Sequence, residues 1–184
     1  MQNVEFKAEL RDLDLARSIC RSLGATHIGD LDQTDTYYRV TAGRLKKREC
    51  TGEPTEVIFY ERRNRTSPKL SHFTIYTEAH ARERFGAGPL PVWLRVVKRR
   101  ELWMLGNVRI HLDSVEDLGT FLEFEALVSR SQTVGKCHET LREMQGHFRP
   151  VLGEPIACGY ADLLAVELER RAFDDERAGQ KRDG

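Results

Sequence analysis

The sequence predicts an α+β fold, an antiparallel sheet or barrel with helices flanking it. Three observations carry this. Segments in which apolar and charged residues alternate with period two dominate the middle of the chain. They follow one another across short turns, as successive hairpins do. Helical spacing of apolar residues is found early and late, so strands and helices are largely segregated.

In order, residues 4–10 set Val4, Phe6, Ala8 and Leu10 against Glu5, Lys7 and Glu9, a strand with one charged face. Asp12 or Asp14 can cap the helix that follows, where Leu13, Ala16, Ile19, Cys20 and Leu23 recur at helical spacing until Gly24 stops it. Residues 29–36 read as polar and turn-rich, ahead of a short strand at 37–40. Gly43 leads into 44–49, where Arg44, Lys46 and Arg48 share a face, and residues 51–54 form a turn. Strands are expected at 56–63, with Ile58, Tyr60 and Arg62 on one face, and at 70–77, followed by a short helix over 78–85. Residues 92–105 contain a strand in which Lys98 and Arg100 share a face, and Gly106-Asn107 is a hairpin turn signal. The next hairpin sets Val108, Ile110 and Leu112 against Arg109, His111 and Asp113, then Leu122, Phe124 and Ala126 against Phe121, Glu123 and Glu125. A helix over 131–146 places Val134, Cys137, Leu141 and Met144 on one face; residues 150–155 read as a loop and 160–173 as a final helix. The polar tail 174–184 is expected to be disordered.

The 184 residues suit one domain with a sizeable core. Twenty-nine basic residues balance 29 acidic ones, so global charge gives no argument for a nucleic-acid polymer or a membrane surface as partner, and any anion site must be made locally. Cys20, Cys50, Cys137 and Cys158 are widely spaced with no CxxC pair, which fits free thiols in a reducing compartment. No apolar run approaches the roughly 18–20 residues of a membrane span, and Glu5, Lys7 and Glu9 stand where a signal peptide needs an apolar stretch. A cytoplasmic protein is expected.

The high charge lies mostly in the strands. One charged face is ordinary for a sheet with one side in water. Here, however, the middle strands are almost all basic on that face, while the acids gather at the first strand and the last. Like charges on neighbouring strands repel, so an enclosed polyanion would explain the pattern. Guanidinium and ammonium groups bind phosphate oxygens, and carboxylates at i and i+2 of one strand, as in Glu123 and Glu125, can hold a hard divalent cation. No Gly-rich phosphate loop is present.

These pieces resemble the CYTH family, the triphosphate tunnel metalloenzymes, which includes class IV adenylyl cyclases and thiamine triphosphatases. The resemblance spans roughly residues 2–170. It rests on an ordered set: Val4-Glu5-Phe6-Lys7, Asp35-Thr36-Tyr37-Tyr38, Gly43-Arg44-Leu45-Lys46, Tyr60-Glu61-Arg62, Lys69-Leu70-Ser71, Val97-Lys98-Arg99-Arg100, Leu112-Asp113-Ser114-Val115 with Leu118-Gly119, Phe121-Leu122-Glu123-Phe124-Glu125, and Tyr160-Ala161-Asp162-Leu163-Leu164. The Tyr-Glu-Arg and Lys-Leu-Ser pieces look most like the class IV cyclase branch. The resemblance implies an eight-stranded antiparallel β-barrel enclosing a tunnel, helices packed outside, and a single domain over 1–173. It implies that Lys7, Lys46, Arg48, Arg62, Lys98, Arg100 and Arg109 meet the substrate's phosphates, that Glu5, Asp113, Glu123 and Glu125 serve Mg²⁺ or Mn²⁺, and that Lys7, Arg100 and Glu123 are catalytic. The family's N-terminal signature, ExExK, reads Asn3-Val4-Glu5-Phe6-Lys7 here, so an amide replaces the first carboxylate and a charge is missing from a second metal position.

The reading is a metal-dependent enzyme acting on a triphosphate: ATP, thiamine triphosphate or inorganic triphosphate. Hydrolysis comes first because it asks only for a triphosphate and water. Cyclisation of ATP to cyclic AMP and pyrophosphate is second, and a non-catalytic triphosphate sensor, favoured by Asn3, is third. A homodimer is left open. None of the six histidines has metal-ligand spacing, and all are read as non-ligands, with His111 facing the proposed tunnel. Tyr160 is read as a packing residue, and Tyr60 as either packing or stacking on a base.

Overall fold

Strands charged on one face and apolar on the other can bury both faces if the sheet closes on itself and helices cover the outside. The computed structural model, described over residues 1–180, does this. The elements run β1 (Gln2–Leu10), α1 (Leu13–Ser22), β2 (Thr26–Tyr38), β3 (Arg44–Cys50), β4 (Glu56–Arg62), β5 (Lys69–Tyr76), α2 (Glu78–Phe85), β6 (Val92–Leu105), β7 (Val108–Val115), β8 (Gly119–Leu127), α3 (Val134–Phe148), β9 (Leu152–Pro155) and α4 (Tyr160–Gln180). All neighbours pair antiparallel, in the order β5-β4-β3-β2-β6-β7-β8-β1, and β1 returns to β5 through Gln2–Glu5 to close eight strands into a barrel. The other end of β1 pairs with the short β9 instead. The expected α+β barrel with flanking helices is the observed fold.

The apolar core lies outside the barrel. Val4, Phe6, Ala8 and Leu10 of β1, with Val108, Ile110, Leu112, Leu122, Phe124 and Ala126 of the β7–β8 hairpin, turn outward. Ala16 and Cys20 of α1 and Cys137, Leu141, Met144 and Phe148 of α3 cover them. Asp12 caps α1, accepting from the Leu15 N–H at 2.9 Å, and Gly24 at φ +75° ends it in a conformation that glycine adopts freely. Thr77 and Thr133 cap α2 and α3. Phe124 is fully buried between Phe6 and Phe148, with ring centroids at 6.2 and 5.2 Å. Phe124→Ala is expected to lower unfolding stability by about 3–5 kcal/mol, read from urea denaturation.

Three expectations are corrected. Residues 29–36 are not a turn-rich segment but belong to β2, a 13-residue strand. β2 hides its pattern because Gln33 and Asp35 face the polar interior while Asp32 and Thr34 face solvent, so no apolar alternation is left to read. Residues 152–155 form β9. The last helix runs to Gln180, through residues assigned to the tail; residues 181–184 lie outside the described ones. No helix among the described residues is long and apolar enough to cross a membrane.

Candidate functional site

The charged strand faces line the inside of the barrel, and the alternation places them there residue by residue. Lys7, Lys46, Arg48, Arg62, Lys98, Arg100 and Arg109, contributed by β1 and four further strands, all line one cavity of about 250 Å³. Glu5, Glu123 and Glu125 line the same cavity. The charged face is not a solvent face: Glu5, Lys7, Lys98, Arg100 and Glu123 are each less than 8% exposed. Arg109 sits nearer solvent and pairs with Glu125 at 3.6 Å. Arg62 is buried against Glu5 and lies 5.6 Å from the Tyr60 ring, which also lines the cavity.

Asp35, which the residue pattern leaves out of the site, organises one wall. It is fully buried, and it accepts from Lys46 Nζ at 2.8 Å, from Arg48 Nε at 2.8 Å and Arg48 Nη2 at 2.9 Å, and from Lys98 Nζ at 3.1 Å. The basic faces of β3 and β6 therefore do not simply repel; one carboxylate between them binds three cations and leaves a local positive surplus. Burial opposes ionisation of Asp35, but Arg48, Lys46 and Lys98 together hold it well below the usual carboxylate range. Burial, with Arg48 beside it, pushes Lys46 down to about 8, and burial pushes Lys98 down also. A bound anion would favour the charged form of both.

The opposite wall is acidic. Register sets Glu5 against Glu125, Lys7 against Glu123, and His111 against Glu123. Glu123 meets Lys7 at 3.3 Å, Arg100 at 2.9 Å and His111 Nδ1 at 3.3 Å. Burial raises its pKa, but Lys7, the His111 hydrogen bond and Arg100 outweigh this and keep it ionised. Burial and Arg100 lower the pKa of His111. One ligand atom each from His111, Glu123 and Glu125 falls within 4.8 Å of the others, a spacing that suits a divalent cation. Asn3, two residues before Glu5 on the same strand face, lines the cavity and has a buried Oδ1 with no hydrogen-bond partner, an acceptor in want of a donor or a cation. The donor set thus fits a divalent ion, and it includes His111, which spacing along the chain could not flag because its partners lie on the neighbouring strand. A second trio, His27, Asp30 and Glu101, lies away from the cavity, where Arg99 binds Asp30 and Arg17 binds Glu101.

Asp113, expected among the metal ligands, sits behind the wall instead. It is fully buried, and both oxygens are taken: Arg100 Nε at 2.7 Å and Arg100 Nη2 at 2.6 Å, with the Tyr160 hydroxyl at 2.7 Å. Burial disfavours its charge, yet Arg100 keeps it ionised. Its role in the structure is to fix the Arg100 fork. Tyr160, read as packing, lines the cavity from the first residue of α4. The segment before it is tied down by Lys69, whose buried Nζ donates to the carbonyls of Ala157 at 2.7 Å and Arg65 at 3.1 Å. Burial pushes Lys69 down to about 7. The four cysteines are free thiols.

A closed antiparallel barrel with a polybasic interior and a carboxylate–imidazole group on one wall defines a class of polar tunnel proteins. The sequence matches the CYTH domain over residues 1–150, and the chain belongs to that family. Its members are triphosphatases or adenylyl cyclases and depend on divalent metal. No curated protein matches the sequence. Among solved structures, the chain is similar to the PH1012 protein of Pyrococcus horikoshii OT3, with 19% identity and a TM-score of 0.70 over 88% of this chain and 98% of that one. It is also similar to an adenylate cyclase candidate from Vibrio parahaemolyticus, with 16% identity and a TM-score of 0.67 over 89% and 97% of the two chains. The S. pombe RNA triphosphatase Pct1 shares 9% identity at a TM-score of 0.56, over 83% and 86%. Identities this low speak for the fold alone.

Proposed function

We propose that the chain binds the triphosphate group of a small molecule inside the barrel and hydrolyses one of its phosphoanhydride bonds. The observation that carries this is the enclosure of seven cationic side chains around one cavity, with more positive charge at the Asp35 wall than that carboxylate can neutralise. In this reading, Lys46, Arg48 and Lys98 hold one part of the polyphosphate. Lys7, Arg62 and Arg100 hold the rest, and Arg109 meets it nearer solvent. Glu123, Glu125 and His111, with Glu5 and the Asn3 carbonyl oxygen nearby, would hold Mg²⁺ or Mn²⁺. The ion would offset charge developing on non-bridging oxygens. The enclosed cations act in the same sense, since preorganised charges in a water-poor site stabilise a dispersed anion without reorganising.

In hydrolysis, water attacks the terminal phosphorus and the anhydride oxygen leaves with the remaining diphosphate. Cyclisation needs the same cage but a different register: the 3′-hydroxyl of ATP attacks the α-phosphorus and pyrophosphate leaves. Tyr60 and Tyr37 on the cavity wall are the observation that favours a substrate carrying a ring, and so keep the cyclase as a second reading. Incubation with ATP or with inorganic triphosphate, in Mg²⁺ or Mn²⁺, followed by chromatography, separates the two. Orthophosphate supports the hydrolase, cyclic AMP with pyrophosphate supports the cyclase, and binding without any product supports the sensor.

The pKa of Lys46 gives a prediction with opposite signs for two measurements. With its folded pKa near 8, the unfolded chain holds a proton that the folded chain lacks between about pH 8 and 10.5, so Lys46 makes stability without ligand rise with pH across that window. Triphosphate binding should fall over the same window, because the free protein loses the cation that the phosphate needs. Urea denaturation and calorimetric titration in metal-free buffer check the two slopes.

A further inference from the structure

Tyr160 belongs to α4, not to the barrel, yet the barrel's cations converge on it. Lys7 Nζ lies 3.5 Å from the centroid of its ring and Lys98 Nζ 5.3 Å. Its hydroxyl donates to Asp113 Oδ2 at 2.7 Å, and Asp113 grips Arg100 with both oxygens. Phe121 packs on the ring at 5.1 Å, and Tyr160 is 2% exposed. We propose that Tyr160 is a positioning residue for triphosphate binding: its ring seats Lys7 and Lys98, and its hydroxyl, through Asp113, seats Arg100. This rests on the triphosphate reading above.

The chemistry explains why an aromatic ring serves here. A lysine ammonium sits on a flexible four-carbon stem and must be held if it is to meet phosphate at a fixed place. Glu123 holds Lys7 at 3.3 Å and Asp35 holds Lys98 at 3.1 Å, but each carboxylate also offsets the charge it holds. The ring face adds a second hold through its quadrupole and brings no net charge. The hydroxyl works differently. By donating to one oxygen of Asp113, it fixes the carboxylate plane against the guanidinium, so the Arg100 fork points at the cavity in one orientation. Both effects are delivered by a helix that is separate from the barrel, so docking of α4 completes the cage.

The two parts can be separated by substitution. Inorganic triphosphate is titrated calorimetrically, in chelator, into the wild type, Tyr160→Phe, Tyr160→Leu, Lys7→Ala and the Tyr160→Leu/Lys7→Ala double variant. Tyr160→Phe keeps the ring and should weaken binding about threefold, through Asp113 alone. Tyr160→Leu should weaken it about tenfold or more, and much of that loss should vanish in the Lys7→Ala background. A packing role would lower the unfolding temperature yet leave affinity unchanged, or give losses that simply add to that of Lys7→Ala; either result overturns the proposal. Tyr160→Phe keeps the test open if the leucine variant fails to fold. If the wild type binds no triphosphate, the binding reading itself falls, and this proposal with it; if it binds and the variants match it, only this proposal falls.

Discussion

Glu123→Gln is expected to remove triphosphate turnover, by about 10²- to 10³-fold or more, while the barrel still folds and still binds triphosphate without metal. The geometry gives the reason. Glu123 meets Lys7, Arg100 and His111 at once, at 3.3, 2.9 and 3.3 Å. Glutamine keeps the shape and can still accept a hydrogen bond, so the wall survives. What is lost is a negative charge. That weakens any cation held with Glu125 and His111, and it leaves Lys7 and Arg100 more strongly positive. Metal-free affinity for inorganic triphosphate should therefore be unchanged or higher, while metal-dependent turnover collapses. Steady-state rates in Mg²⁺ or Mn²⁺, set beside calorimetry in chelator, test both halves. Normal turnover in this variant would remove the metal assignment.

Asp35→Asn is expected to lower stability by about 3–5 kcal/mol, because it leaves Lys46, Arg48 and Lys98 buried without their shared carboxylate. Asp35 is ionised well below the usual range in the folded state, so its contribution is present above the unfolded pKa and is lost as pH falls through the folded one. In the variant the deficit should shrink as pH rises, since Lys46 and Lys98 can shed their protons. Inorganic triphosphate should raise the variant's unfolding temperature more than the wild type's, because an anion replaces the missing charge. Thermal unfolding with and without ligand reads this directly. An unchanged stability would mean that Asp35 does not organise the wall.

The strands with one apolar and one charged face were legible because their outward residues pack on helices. Val4, Phe6 and Ala8 against Glu5 and Lys7, or Leu122 and Phe124 against Glu123 and Glu125, announce both the strand and its two environments. β2 was not legible, because both of its faces are polar along residues 29–36, one toward the cavity and one toward solvent. With β2 went Asp35, and with Asp35 the reason that three cations can share a buried wall. Closure through β1 and β5 is a long-range pairing that no local pattern encodes. The seven cationic residues reached one cavity because alternation fixed their faces; Asp113, on the same face of β7, did not reach it because Arg100 and Tyr160 cover it. Tyr160 looked like one more aromatic at a helix start, since only the docking of α4 shows what its ring meets.

The measurement that bears most directly on the central claim is a calorimetric titration of inorganic triphosphate into the wild-type chain in chelator, repeated at rising salt. The cage of buried cations predicts saturable binding at one site, weakened by salt and displaced by ATP. No binding heat, together with no shift in unfolding temperature on adding triphosphate, would contradict it.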